Sequence, residues 1–264
     1  MLVVIALSIT TLKIYMDITL ALIFGLIIGS FLNVIIHRLP KQLFAEDINI
    51  IKPYRSFCPV CKSDLTAIEL IPILSYIIQR GKCKNCNTNI SIQYPLVEFA
   101  SGILTFLVVI KFGINFDAFL ILIFCYTLIS LFVIDINEKI LPDILTISLL
   151  WFGLIINMDA KFSPINEAIL GAIFGYLALL AIYWAFKLIL KREGMGYGDF
   201  KLTAAFGAWF GISSITPILL IASILGILYA LLSRQKKSQP FAFGPFLIIA
   251  GFILLFFPEI RLYY

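Results

Sequence analysis

Charge is scarce in this 264-residue sequence: 13% of its residues are Asp, Glu, Lys or Arg, about half the share usual in soluble domains. With 61% of the residues hydrophobic, a water-soluble globule of this size could not hide the apolar surface. Disorder is excluded by the same excess, because disordered chains are poor in hydrophobic and aromatic residues. Histidine is limited to His37. No His-Glu-x-x-His zinc protease is possible, and a Ser-His-Asp triad would have to use that one ring. There is no phosphate loop or dinucleotide fingerprint. No segment interleaves basic residues with aromatics, so the net charge of +5 is not a nucleic-acid signal. Ten-residue segments of alternating polarity, the mark of a membrane β-barrel, are missing. No internal repeat or low-complexity linker is visible. The apolar-rich residues from Met1 lack a basic n-region and a small-residue cleavage site, and are read as a membrane-proximal start.

What remains is long apolar runs. A spanning helix needs roughly 20 mainly apolar residues. Eight stretches are candidates: Ile18 to Ile36, Pro95 to Ile110, Asp117 to Ile134, Ile144 to Ile156, Ile165 to Leu190, Leu202 to Ile212, Thr216 to Ser233 and Phe241 to Phe257. The fourth and sixth are short and need an extra turn or a thinned bilayer. The expected fold is all-α, a polytopic helical membrane protein of about eight transmembrane helices with a small cytoplasmic zinc-binding domain. With the segment after the first helix cytoplasmic, all but four of the 20 Lys and Arg residues lie on the cytoplasmic side. The exceptions are Lys13, Lys111, Lys161 and Arg261, and the positive-inside rule favours this orientation. The cluster Arg234 to Lys237 reads as an anchor near anionic headgroups. The expected divisions are 1–36 (N-terminal segment and first span), 37–94 (cytoplasmic domain) and 95–264 (membrane domain).

The large loop carries Cys58-Pro-Val-Cys61 and Cys83-Lys-Asn-Cys86. Two such knuckles aim four sulfurs at one ion, and four cysteines with no open position make a structural zinc site. The stretch between them is slightly longer than in most zinc ribbons. Nearby lysines offset the negative charge of four thiolates. A disulfide pair is the rival, disfavoured in a cytoplasmic loop; no thioredoxin-like pattern surrounds either pair. Cys125, alone in an apolar run, reads as a buried small hydrophobe.

An ionisable residue near a span needs a reason. Three carboxylates stand out: Asp135 at the end of the third apolar run, Asp143 before the fourth, and Asp199 in Gly194-Met-Gly196-Tyr-Gly198-Asp199. The topology puts all three at the cytoplasmic face. Two carboxylates brought together share a proton, as in aspartic proteases, where the pair activates a water and protonates a leaving amide. Glycines before Asp199 allow a tight loop and the close approach of a peptide backbone. Asp143 after Pro142 has the form of a helix start with an acid at the positive dipole end. Asp135 could equally be a solvated helix-end acid, and proton-coupled transport would use the same residues. His37 beside Arg38 reads as an interfacial anchor.

Together these features resemble one family, the type IV prepilin leader peptidases, membrane aspartic proteases with a glycine-x-glycine-aspartate motif. The resemblance runs from about residue 20 to residue 255. It rests on Gly29-Ser-Phe-Leu-Asn-Val-Ile-Ile-His-Arg-Leu-Pro40, the two cysteine pairs, Gln93-Tyr-Pro-Leu-Val-Glu98, Ile134-Asp135 through Leu141-Pro-Asp143, Glu193-Gly-Met-Gly-Tyr-Gly-Asp-Phe-Lys-Leu202 and Phe243-Gly-Pro-Phe246. It implies an endopeptidase of the bacterial inner membrane. Such an enzyme removes the basic leader from prepilins and type II secretion pseudopilins after a glycine, on the cytoplasmic side. The catalytic pair then falls on Asp135 and Asp199, and Asp143 matches a position outside that pair. Many members also methylate the new N-terminus, often phenylalanine, with S-adenosylmethionine. Cys58, Cys61, Cys83 and Cys86 match the metal-site positions of the bifunctional members, which favours methylation here. No glycine-rich methyltransferase fold is visible and no motif specifies the methyl-transfer residues; Gly29 to Pro40 with the large loop is a plausible location. The alternatives are a peptidase without methylation, a proton-coupled transporter, and a membrane-anchored zinc-binding adaptor that would leave Asp199 unexplained.

Overall fold

A computed structural model describes residues 2–44, 55–191, 195–233 and 242–261. Arg192, Glu193, Gly194, Lys52, Phe241 and the basic cluster Arg234 to Lys237 lie outside the described residues. The described chain is helical: α1 (Leu2–Phe44), α2 (Leu74–Ile78), α3 (Gln93–Phe112), α4 (Phe116–Glu138), α5 (Asp143–Ile156), α6 (Ile165–Leu190), α7 (Tyr197–Phe210), α8 (Ile215–Leu232) and α9 (Gly244–Phe256). β-Pairing among the described residues is limited to two isolated bridges, Phe57 with Asp64 and Lys82 with Asn89. Every one of the eight apolar stretches falls on a helix. Five helices are long and apolar enough to cross a membrane: Tyr15–Phe44, Gln93–Phe112, Phe116–Glu138, Ile165–Ile189 and Ile212–Leu232. The expected count of about eight spans is not confirmed among the described residues. Helices α5 and α7 have 14 residues and α9 has 13, about 20 Å of helix against a hydrocarbon layer of about 30 Å. Protein covers α7 from Asp199 to Phe210 almost without interruption, so it does not need lipid along its length.

The chain forms two compact units, Met1–Ser130 and Leu131–Tyr264. In the first, α1 and α3 touch backbone to backbone. A Cβ at Gly25 would lie 2.8 Å from Gly102 Cα, and one at Gly29 would lie 2.6 Å from Glu98 Cα. Small residues at such a seam let polar groups reach across it, which lipid-embedded helices use as adhesion. Here Ser101 Oγ donates to the Gly25 carbonyl at 2.7 Å. Asn33 Nδ2 donates to the carbonyls of Gly29 (3.2 Å) and Tyr94 (3.1 Å). Thr105 Oγ1 and the Tyr126 hydroxyl, 2.7 Å apart, tie α3 to α4. Asn115 caps α4, its Oδ1 accepting from Ala118 N at 2.7 Å, one of the side chains preferred for free N-terminal amides.

In the second unit α7 is the core. Gly207 lies directly on the Gly171 backbone of α6. A buried asparagine closes the C-terminal end of α7: Asn157 Nδ2 donates to the carbonyls of Ala208 (2.8 Å) and Trp209 (3.0 Å), while its Oδ1 accepts from Phe162 N (2.9 Å) and Ser163 N (3.1 Å). Carbonyls that a helix end leaves unpaired are thus satisfied without water. Trp209 Nε1 donates to the Leu149 carbonyl at 2.9 Å, joining α7 to α5. At the other end Phe200 packs on Leu179 and Tyr183 of α6. Both ends of α7 are therefore fixed, and with them the position of Asp199 in its first turn.

Candidate functional site

Asp135 sits in the last turn of α4 and Asp199 is the third residue of α7. Both side chains are buried, at 5% and 6% exposure. Asp135 lies within Coulombic reach of Asp199. The structure therefore brings together the two acids singled out in the sequence. Each is held by backbone. The Asp199 carboxylate reaches back to the Gly196 N–H, the N-cap residue of α7. This is the reach-back half of a capping box. The Asp199 N–H donates to the Gly196 carbonyl at 3.2 Å, and its own carbonyl accepts from Thr203 Oγ1 at 2.8 Å. The Asp135 carboxylate faces the Gly244 N–H at the start of α9. Its Oδ2 is buried and makes no hydrogen bond among the described residues.

Glycine is required at this spot for reasons of space. A Cβ on Gly244 would collide with Asp135 Oδ2, and one on Gly198 would lie 2.8 Å from Leu141 Cβ. Leu141 also lies 3.1 Å from where a Gly244 Cβ would be. The same leucine is thus wedged between the two glycines. The motifs around Asp135, Asp199 and Phe243 to Phe246 are three walls of one site, which spacing alone does not reveal. Asp143 is elsewhere. Its two carboxylate oxygens accept from Lys201 Nζ at 2.6 and 2.7 Å, and it is 60% exposed at the helix start. It is a paired surface acid, in line with the helix-start reading. His37 Nε2 accepts from Lys41 Nζ at 2.8 Å, as suits an exposed anchor. Cys125 is fully buried.

The four paired cysteines converge. Their sulfurs all lie within 4.8 Å of one another. The separation is 3.8 Å for Cys58 to Cys86 and 4.0 Å for Cys61 to Cys83. Tetrahedral zinc, with sulfurs at about 2.3 Å, requires them roughly 3.8 Å apart, so Cys58, Cys61, Cys83 and Cys86 could hold a zinc ion with small side-chain adjustments. The knuckles are copies of one turn. Cys58 N donates to Ser63 O and Lys62 N to Cys58 O; Cys83 N donates to Thr88 O and Asn87 N to Cys83 O, all at 2.9 Å. Lys62 and Asn87 take the left-handed conformation in each. The Ser63 hydroxyl and then its N–H hold the Cys61 thiol below its usual range. Thr88 does the same at Cys86 and brings it to about 6. The sequence reading missed this duplication; the signal was the hydroxyl residue two places after each second cysteine. It also quoted Glu98 within a motif but gave no role to this buried carboxylate on an apolar helix.

An all-helical membrane protein that buries two interacting carboxylates between the ends of three helices, and that also carries a four-thiolate cluster, defines a narrow class. Residues 23–112 match the bacterial peptidase A24 N-terminal domain, and residues 122–231 match the type IV leader peptidase family. The chain belongs to the type IV leader peptidase family. It is similar to the prepilin leader peptidase/N-methyltransferase of Aeromonas salmonicida strain A449, 41% identical across 90% of this chain and 89% of that protein. The proteins of the same name from Neisseria gonorrhoeae (41% identical, 89% of this chain, 88% of that protein) and Pseudomonas aeruginosa (40% identical, 89% and 88%) are similar to the same degree. No solved structure matches the chain.

Proposed function

We propose that the chain cleaves the leader from prepilins with Asp135 and Asp199 as its catalytic pair and then methylates the exposed N-terminus. The observation that carries the proteolytic reading is the burial of two carboxylates within reach of each other, with Asp135 Oδ2 short of a donor. A water held between them loses a proton to the ionised partner as it attacks the scissile carbonyl. The protonated partner supports the carbonyl oxygen and then donates to the leaving amine. No covalent acyl-enzyme forms. Membership of the family and relatives named for both activities support a bifunctional membrane enzyme acting on prepilins, with S-adenosylmethionine as methyl donor.

The finer assignments follow the same reading. The protein sits in the bacterial inner membrane with the carboxylate pair at the cytoplasmic face. Clients include type II secretion pseudopilins, cut after a glycine. Residues 37–94 form the cytoplasmic zinc domain between the first-span segment 1–36 and the peptidase domain 95–264. The zinc shapes that domain through its four cysteines and takes no part in hydrolysis. Position along the helices favours hydrolysis over proton-coupled transport. Both acids lie in terminal helical turns, whereas transporter sites lie near the bilayer midplane. The test is cleavage of a synthetic prepilin in reconstituted membranes. Asp135→Asn and Asp199→Asn each abolish cleavage while the proteins insert and keep their zinc. Near wild-type cleavage by either variant refutes the pair.

A further inference from the structure

The first unit contains a second buried polar site that the proteolytic chemistry does not use. Asn33 on α1 is 4% exposed. Its orientation is fixed, because both groups beside its amide nitrogen are carbonyls, those of Gly29 and Tyr94. An amide turned the other way would set oxygen against oxygen. The consequence is that Asn33 Oδ1 is buried with no hydrogen-bond partner among the described residues. One helical turn away across the seam, where Glu98 Cα abuts Gly29, the Glu98 side chain is 8% exposed. Glu98 Oε2 accepts from Ile73 N at 2.7 Å, and the carboxyl group also meets the Ser30 side chain. Among the described residues Glu98 has no ion pair. An orphaned amide oxygen costs its full desolvation, and a buried carboxylate without a cation costs more.

The unpartnered side-chain atom of this site among the described residues, Asn33 Oδ1, is an acceptor, and the Glu98 carboxylate, held by Ile73 N and Ser30, is anionic. The site lacks a cationic donor with several N–H bonds. A primary ammonium supplies three donors and one positive charge from a compact head. We propose that Asn33 Oδ1 and the Glu98 carboxylate form the seat for the free α-amino group of the processed pilin, the acceptor of the methyl group. The inference rests on the methyltransferase activity set out above and assigns residues to it.

The chemistry closes on these groups. The bound ammonium passes one proton to the Glu98 carboxylate. The freed nitrogen lone pair attacks the methyl carbon of S-adenosylmethionine. The C–N bond forms as the C–S bond breaks, and its electron pair stays on sulfur as a neutral thioether. The product is a methylammonium, and Glu98 returns its proton to water. An N-terminus attached to an apolar segment suits a seat on the α1–α3 seam, because the ammonium is then the one polar group the segment must bury. The strained turn at Ile73, an isoleucine at φ 61°, is pinned by the same carboxylate. A purely structural role for Glu98 would end there, so the test must separate the two.

Glu98→Gln keeps an oxygen for the Ile73 N–H and removes the charge. In the full-length protein it leaves leader cleavage within threefold of wild type. It lowers methylation at pH 7 at least tenfold, measured as methyl incorporation by mass spectrometry. Raising the pH through the α-amine range near 8 restores much of that loss in the variant, since bulk solvent then removes the proton. Asn33→Leu lowers methylation in the same way, with leader cleavage and zinc content reporting that it folds. On wild type, a peptide beginning with a free phenylalanine binds at least tenfold tighter than its N-acetylated form; Glu98→Gln binds the two alike. The seat is overturned if Glu98→Gln methylates within twofold of wild type, if it loses cleavage and methylation in equal proportion, or if wild type binds both peptides equally. Wild type that cleaves but never methylates removes the activity itself, and the seat with it.

Discussion

The thiolate cluster and the carboxylate pair are built by opposite means. Each cysteine knuckle closes on itself within six residues, through a Cys N–H to hydroxyl-residue carbonyl bond and its partner turn. The pair of acids is not brought together by any local frame, although Asp199 alone is oriented by Gly196. Asp135 comes from α4, Asp199 from α7, and Gly244 and Leu141 complete the enclosure from α9 and the α4–α5 connection. The thiolates are arranged around a point where an ion fits, with hydroxyls relieving their charge. The acids are buried with one oxygen left without a donor. A local motif can be satisfied by its own backbone and is then suited to scaffolding. A site assembled from distant helices can hold groups in a state their own neighbourhoods would not choose, which catalysis requires.

The contrast can be broken by substitutions that affect one region and spare the other. The largest effect belongs to Gly244→Ala. The added methyl displaces the Asp135 carboxylate, and a displacement of this kind costs on the order of a hundredfold in rate. Prepilin cleavage should fall by about that factor while zinc content, measured by atomic absorption, stays at one per chain. An unchanged rate would mean Asp135 is not positioned by α9. Next comes Cys58→Ser with Cys61→Ser. It should release the zinc and lower methylation about tenfold, and reduce cleavage less. Purified wild-type protein without metal would rule out the zinc assignment.

Thr88→Val is milder. It removes the hydroxyl 3.2 Å from Cys86 Sγ, a contact of the kind that tunes metal affinity by roughly tenfold. A chelator competition titration should read that loss with cleavage unaltered. Asp143→Asn should change least. Its pair with Lys201 is more than half exposed on the acid's side, and such pairs contribute little; cleavage should stay within about threefold of wild type. A loss comparable to that of Asp199→Asn would show that the wrong acid was chosen.

Much of this contrast was legible in the sequence, unevenly. The cysteine spacing alone specified the thiolate cluster, because its geometry is local. Helices were legible from unbroken apolar runs, but their number as full spans was not. Nothing in the composition of Leu202 to Ile212 tells that α7 is wrapped by protein instead of lipid. Asp135 and Asp199 were marked as acids beside apolar runs, and their convergence was an expectation from topology. The roles of Leu141 and Gly244 were hidden, since steric walls from other helices leave no periodic trace. Glu98 and Asn33 were visible as polar residues in apolar helices. They went unassigned because a seam between helices looks, in sequence, like any other helix face.

The most direct measurement is an experimental structure of the protein in lipid with an uncleavable prepilin analogue carrying a hydroxyl in place of the scissile carbonyl. The account predicts that hydroxyl between Asp135 and Asp199, within about 2.6–3.2 Å of an oxygen from each. A hydroxyl contacting one carboxylate alone, with the other turned away or at a different depth, would contradict it.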